Sequence, residues 1–398
     1  MNDSGTHSRK VSRPKTYCKW LEIFSLILMG LLPLRGWTGN PIVLPSGAVL
    51  RWTTMELSYH LDRGSLGPYS EEFIQQLIIK AFSEWNKVPF STLSWSLGGY
   101  LNPADSLDGS LYYVGVPDDG INPVIFDSRG DLIDLLNGEG ASDYLLGLAI
   151  PYYTTQGKIQ EVEIIVNGKG LHGRSTEAQR LYATMLHEIG HISGLGHTQL
   201  LTEFAFDSNR GNNLFLPVMF PVEPVDLVSS NSLSLDDMST LETLYPRPDF
   251  HQARGSIVGT VQRPWGDPVQ GANVVAVNVN EPWVSIYATV SDLEIDQTGA
   301  FRFYGLTPGV YEIYMEPIWP MFKGTAGVGP FSATEAAPSF NNPVKKEYYN
   351  GERESGFINR DDPEDRIQLV VRQGETVTDI DLISNEEVEV PVREWSLY

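Results

Sequence analysis

The sequence predicts an α+β chain in two parts, a mixed sheet-and-helix region followed by an all-β sandwich. Three observations predict it. Two segments among the first 250 residues carry apolar side chains at helical spacing, between runs that alternate like strands. Beyond residue 255 the helical period disappears, and short apolar runs are divided by Gly, Pro and Asp turns. The length of 398 residues exceeds what a single core ordinarily holds.

The elements follow in order. Arg9, Lys10, Arg13, Lys15 and Lys19 precede a mostly apolar run over residues 21–34, with Thr38 and Gly39 after it. Basic, then apolar, then small and polar is the order of an export signal, expected over residues 1–40, and it implies a secreted protein. An uncleaved membrane or periplasmic anchor and a buried N-terminal helix are the alternatives, although Glu22 interrupts the run and its length is short for a span. Met55, Leu57, Tyr59 and Leu61 alternate with polar neighbours as a half-buried strand does. Ser70 opens a helix in which Ile74, Leu77, Ile78, Ala81, Phe82 and Trp85 share a face, a core stripe. Residues 98–146 are rich in Gly, Asp, Asn and Pro and read as long loops with short strands. Strands are expected at 145–150 and 162–166 around a turn at Gly157, and a capping box of Thr176 and Gln179 starts a helix through Leu181, Met185, Leu186 and Ile189.

Pro246, Pro248 and Gly255 bracket a polar stretch, so a boundary is expected near 246–254. The expected parts are a first domain at 41–248, a sandwich at 253–385 and a tail at 386–398. A protease is expected to cut at the boundary and release a self-sufficient N-terminal fragment. Strands in the second part are expected at 257–261, 273–277, 301–303, 310–314, 367–371 and 377–382.

Charge and cysteine content narrow the function. With 50 acidic against 28 basic residues the net charge is −22, which leaves no broad surface to neutralise nucleic-acid phosphates. Cys18 is the sole cysteine, so an intrachain disulfide and a thiolate metal cluster are both excluded. A monomer is expected.

The chemistry sits in His187-Glu188-Ile189-Gly190-His191-Ile192-Ser193-Gly194-Leu195-Gly196-His197. Four residues apart on a helix, His187 and His191 present imidazoles on one face, a pairing that suits zinc. Gly194 lets the chain leave the helix in a conformation that side chains resist, and His197 can then return as a third ligand. Three histidines leave the fourth position for water, and Glu188 stands beside them as a general base. A helix with surface histidines and a closed structural zinc are the bland alternatives; the second lacks a cysteine to complete it.

That segment resembles the extended zinc-binding motif of the metzincin metalloendopeptidases, and Gly194-Leu195-Gly196-His197-Thr198 is most similar to the matrixin branch. Pro217-Val218-Met219-Phe220-Pro221 resembles the methionine turn beneath the zinc, with Met219 as a floor rather than a ligand. Weaker similarity lies at 81–85, at Leu235-Asp236-Asp237 and at Leu244-Tyr245, so the resemblance covers about residues 42–247. It implies a twisted mixed sheet with an active-site helix, and hydrolysis of protein or peptide substrates with Glu188 as base. It also implies that Gly147, Leu148, Ala149 and Ile150 form an edge strand that pairs with extended substrate, and that Phe220, Pro221 and Val222 wall a primed-side pocket. No cysteine propeptide motif is present, so latency through a thiol on zinc is not expected. Asp118, Asp119, Asp127, Asp131 and Asp134 are candidates for structural calcium, with solvated loop carboxylates as the alternative.

In the second part, residues 266–272 and 299–311 resemble the carboxypeptidase-regulatory-like, transthyretin-like sandwich. This implies a spacer, or a module that binds a surface or matrix. The rival to an enzyme is a non-catalytic secreted adhesion protein on the same scaffold, although Glu188 and all three histidines are retained.

Overall fold

The computed structural model describes residues 39–102, 114–115, 119–222, 232–331, 344–357, 361–362 and 364–385. The expected export segment before residue 39, with Cys18, and the tail after 385 lie outside the described residues. Among the described residues no helix is long and apolar enough to cross a membrane.

The chain is mixed α and β, with three sheets among the described residues. Its elements are β1 (Glu56–Leu61), α1 (Glu71–Trp85), β2 (Ser94–Tyr100), β3 (Pro123–Asp127), α2 (Asp131–Asn137), β4 (Gly147–Tyr153), β5 (Ile159–Asn167) and α3 (Ser175–Ile192). Then come α4 (Thr202–Phe206), α5 (Leu235–Leu244), α6 (Phe250–Ala253), β6 (Gly255–Gln262), β7 (Asn273–Asn278), β8 (Ile286–Val290) and β9 (Ala300–Leu306). The last strands are β10 (Gly309–Glu316), β11 (Glu347–Tyr348), β12 (Leu369–Val371) and β13 (Thr376–Ile383).

The first sheet has the order β2-β1-β3-β5-β4. Its pairs are parallel except β4, which runs antiparallel to β5 and forms one edge. Strand alternation divides its side chains between two cores. Val124, Phe126, Ile164 and Val166 face α1 and α3, while Ile125 and Ile165 face α2. On α1 the Ser70 hydroxyl caps the amide of Phe73, and the expected stripe is buried apart from the half-buried Leu77. Trp85 ties α1 to the central helix by donating its indole N–H to the Leu186 carbonyl at 2.9 Å. Helix α3 starts at Ser175. Its first turn is closed by Glu177, which accepts from the amides of His172 (2.8 Å) and Arg174 (3.0 Å), and not by the expected pair of Thr176 and Gln179.

The C-terminal half has two sheets, β11-β10-β7-β8 with β12 on β10, and β13-β6-β9. They share one core in which Ile257, Phe301 and Leu382 meet Val274, Tyr311 and Met315. The strands expected from residue 257 on are present, and β8 and β11 are additional.

The residues from 39 onward belong to one compact unit. Helix α5 joins its halves through polar bonds. Asp236 accepts from the Ala288 amide at 2.8 Å, and Ser239 and Thr243 both donate to the Tyr304 carbonyl. Arg254 makes two bonds to Glu242, at 3.0 and 2.8 Å. Val290, Leu293, Ile318, Phe322, Val328 and Phe331 of the C-terminal half pack into the core of the N-terminal half. The expected open boundary is therefore pinned: α6 crosses it, Phe250 is buried, and the Arg247 amide donates to the Phe90 carbonyl at 2.8 Å.

Glu242 has no exposed side-chain surface and Arg254 has 12 %, so removing the guanidinium strands a buried carboxylate. Arg254→Ala is expected to lower the unfolding free energy by about 3 kcal/mol in a denaturant titration. A loss of about 0.5 kcal/mol, as for an exposed pair, would contradict this packing.

Candidate metal centre

Helix α3 carries His187 and His191 one turn apart, and the chain then turns sharply at Gly194, whose φ is +94°. A Cβ at Gly194 would stand 2.7 Å from the Leu50 carbonyl oxygen, so the turn needs glycine for its conformation and for its close approach. The turn is braced from outside the helix. Trp52 donates its indole N–H to the Ile192 carbonyl at 2.8 Å, and the Tyr245 hydroxyl donates to the Ser193 carbonyl at 2.8 Å. The Gly196 amide donates to the Asn40 carbonyl, and the Ile42 amide to the Gly194 carbonyl.

These constraints bring His197 back over the helix. Its Nε2 lies 3.1 Å from Nε2 of His191 and 3.2 Å from Nε2 of His187. Each Nδ1 faces a backbone carbonyl: Val218 for His187 (2.7 Å), Leu195 for His191 (2.8 Å) and Gly327 for His197 (3.2 Å). A carbonyl only accepts, so each ring carries its proton on Nδ1, and three Nε2 lone pairs converge with no proton between them. Burial also disfavours a charged ring at His187, and burial together with the neighbouring imidazoles lowers His197 and takes His191 down to about 3. Three such lone pairs repel unless a cation is shared among them. Nitrogens at about 2.05 Å from one tetrahedral zinc are about 3.3 Å apart, close to the observed separations. The donor set therefore fits zinc.

Glu188 is 7 % exposed and lies against β4. Burial pushes its carboxyl up to about 8, and the Ala149 amide that donates to it acts in the opposite direction. At Gly147 a Cβ would sit 2.9 Å from Oε1 of Glu188 and 2.9 Å from the Thr184 methyl, so glycine lets the edge strand come close to the helix. Met219 fills the space under Gly190, where a Cβ would be 2.3 Å from its sulfur. The 217–221 turn is held by Asp237, whose carboxylate accepts from the amides of Val218 (2.9 Å) and Met219 (3.0 Å) and from Ser234. Through that turn Asp237 sets the carbonyl that orients His187.

The triad opens into a cleft of about 870 Å³, a size suited to a ligand. Gly147, Leu148 and Ala149 line one wall, and Phe220, Pro221 and Val222 line another. Ile150 does not line the cleft; like Leu148 it packs against the core around α2. A third wall comes from the C-terminal half, where Gly324, Gly327, Gly329 and Phe331 line the cleft and Gly327 holds His197. The N-terminal half therefore lines only part of the cleft.

The aspartates considered for calcium serve other bonds. Asp127 caps the amides of Leu132 and Ile133, Asp131 pairs with Arg129, Asp134 accepts from the Ser142 amide, and Asp119 accepts from the Ile121 amide. They form no metal-binding group among the described residues, and Asp118 lies outside those residues.

No family model matches the chain, and no curated protein matches it. Among solved structures it is similar to BcpA, the major pilin subunit of Bacillus cereus, at 15 % identity and a TM-score of 0.20. That match spans 34 % of this chain and 31 % of the pilin, a likeness too slight to carry an argument.

Asp237 reaches the converging imidazole nitrogens through the Val218 carbonyl. Asp237→Ala is expected to weaken zinc retention about 10–100-fold in competition with a chelator, while Glu188→Gln retains zinc like the unaltered chain. Equal retention in all three would contradict this role for Asp237.

Proposed function

We propose that the protein is an exported zinc metalloendopeptidase of the metzincin class, most similar to its matrixin branch, with a transthyretin-like C-terminal domain. The observation that carries this reading is the convergence of three unprotonated imidazole nitrogens beside a buried glutamate, in a cleft bordered by a sheet edge. The basic-then-apolar order of residues 9–34 supports export.

His187, His191 and His197 would hold the zinc. The chemistry it supplies is Lewis acidity, which polarises a carbonyl and makes water acidic near neutral pH. The chain's own residues do the rest. The edge of β4, unpaired among the described strands, binds the extended substrate backbone by strand addition, which lays the scissile bond across the triad. The charge of a bound zinc would offset the burial that raises the Glu188 carboxyl. As a carboxylate, Glu188 accepts a proton from the attacking water and delivers it to the departing amine, with the Ala149 N–H keeping it aimed. Phe220, backed edge-on by Phe322 with ring centroids 5.6 Å apart, gives the specificity wall an apolar surface and favours an apolar substrate side chain.

Glu188→Ala is expected to keep one zinc per chain and lose peptide hydrolysis by about 10³-fold or more on a casein digest. Turnover near that of the unaltered protein would refute the mechanism, and inactivity of a zinc-loaded unaltered protein on casein and gelatin would favour the adhesion-protein alternative.

A chain ending at residue 248 lacks the Gly327 carbonyl and the apolar side chains that complete its core. It is expected to aggregate or to lose activity on short peptides as well as on proteins. Full activity on short peptides would show that the C-terminal half plays no part in catalysis.

A further inference from the structure

A second polar cluster lies in the C-terminal half, away from the histidines. Glu347 on β11, Glu354 and Asp361 each bring a carboxylate oxygen within 4.8 Å of the others. Glu347 and Asp361 are buried, and Glu354 is half-buried. Among the described residues no cationic side chain pairs with any of the three. Arg353 acts on Asp361 from a distance and is itself bridged to Asp365 at 2.7 Å. The donors that reach the cluster are neutral. Asn385 gives its amide N–H and its side-chain Nδ2 to Glu347 (2.9 and 2.8 Å), and Ser355 gives its amide to Asp361 (2.7 Å). The amides of Asn350 and Ile383 go to Glu354, at 2.9 and 3.0 Å, and the Asn350 Nδ2 donates to Asp361.

Two asparagines supply an independent observation. Asn350 is 2 % exposed and Asn385 3 %, and the Oδ1 atom of each is buried without a hydrogen-bond partner. Their Nδ2 ends meet the carboxylates, and the Oδ1 atoms of the same two amide groups are buried without a partner among the described residues. Buried oxygens of this kind need either donors or a cation. Burial also drives protons toward the acids, taking Glu347 up to about 9 and Glu354 up to about 7.

We propose that Glu347, Glu354 and Asp361, with the side-chain oxygens of Asn350 and Asn385, form a binding site for calcium. The donor set is all oxygen, which favours a hard cation over zinc. Its five side-chain oxygens on separate loops match the high and flexible coordination of calcium better than the strict octahedron of magnesium. The ion would join β11, residues 350–355, Asp361 and the end of β13.

The test uses the full-length, zinc-loaded protein passed over a resin that removes alkaline-earth ions. Calcium chloride at millimolar concentration is expected to raise Tm by about 5 °C, and magnesium chloride by less. Terbium, excited through neighbouring tyrosines such as Tyr349, is expected to titrate one site and to be displaced by calcium. Glu347→Gln and Glu354→Gln are each expected to abolish the calcium-dependent rise. The rise is read against each variant's own calcium-free Tm, because an NH2 in place of one oxygen also loses one of the hydrogen bonds that the carboxylate accepts. A Tm unaffected by calcium would overturn the proposal, as would a rise of equal size in both variants, which would place the ion elsewhere. A calcium-free Tm that rises on acidification, with no response to calcium, would show that the cluster holds protons instead.

Discussion

The site depends on one constraint: three backbone carbonyls fix the protonation and direction of three imidazoles. Each carbonyl belongs to a different part of the chain. Leu195 lies in the turn that follows α3, Val218 in the turn anchored by Asp237, and Gly327 in the C-terminal half. A hydrogen bond to Nδ1 turns an imidazole into a directed lone pair, and three directed lone pairs at one point make a cation site. Much of the surrounding structure serves this arrangement. Trp52 and Tyr245 brace the turn after α3, Gly190 admits Met219 beneath the helix, and Gly147 admits the sheet edge to Glu188.

The junction between the halves follows from the same requirement. A loop that positions His197 must itself be held in place, and the loop ending at Phe331 is held by packing into the N-terminal core. Phe322 meets Phe220, and Gln199 bonds Glu316, the Pro317 carbonyl and the Trp319 amide. Helix α5 adds buried polar bonds and the Arg254–Glu242 pair. An interface of this kind favours one relative placement of the halves, since sliding it would strand buried polar groups.

The parts of the site that lie close together in sequence were legible there. Helical spacing and a glycine turn were sufficient to single out His187, His191, His197 and Glu188, and the short segment around Met219 was legible as well. Alternation and helical stripes located β1, α1 and most of the sandwich strands. Other features depend on contacts between distant segments and left little local trace. Helix α5 buries Asp236, Asp237, Ser239, Thr240, Glu242 and Thr243, so it lacks the apolar stripe that marks a surface helix. The start of α3 was misplaced because Glu177 caps it by reaching back to two amides. Gly327 contributes through its backbone carbonyl, which no side-chain pattern can advertise. The acids and asparagines of the second cluster are spread from residue 347 to residue 385 and meet only when β11 and β13 are in place.

The most direct test of the central claim is zinc-edge X-ray absorption on the purified full-length protein. An open site built on the three histidines gives imidazole scattering from three nitrogens at about 2.0–2.1 Å together with one light, exchangeable oxygen scatterer. A spectrum with no imidazole scattering, or with four protein ligands and no exchangeable position, would contradict it.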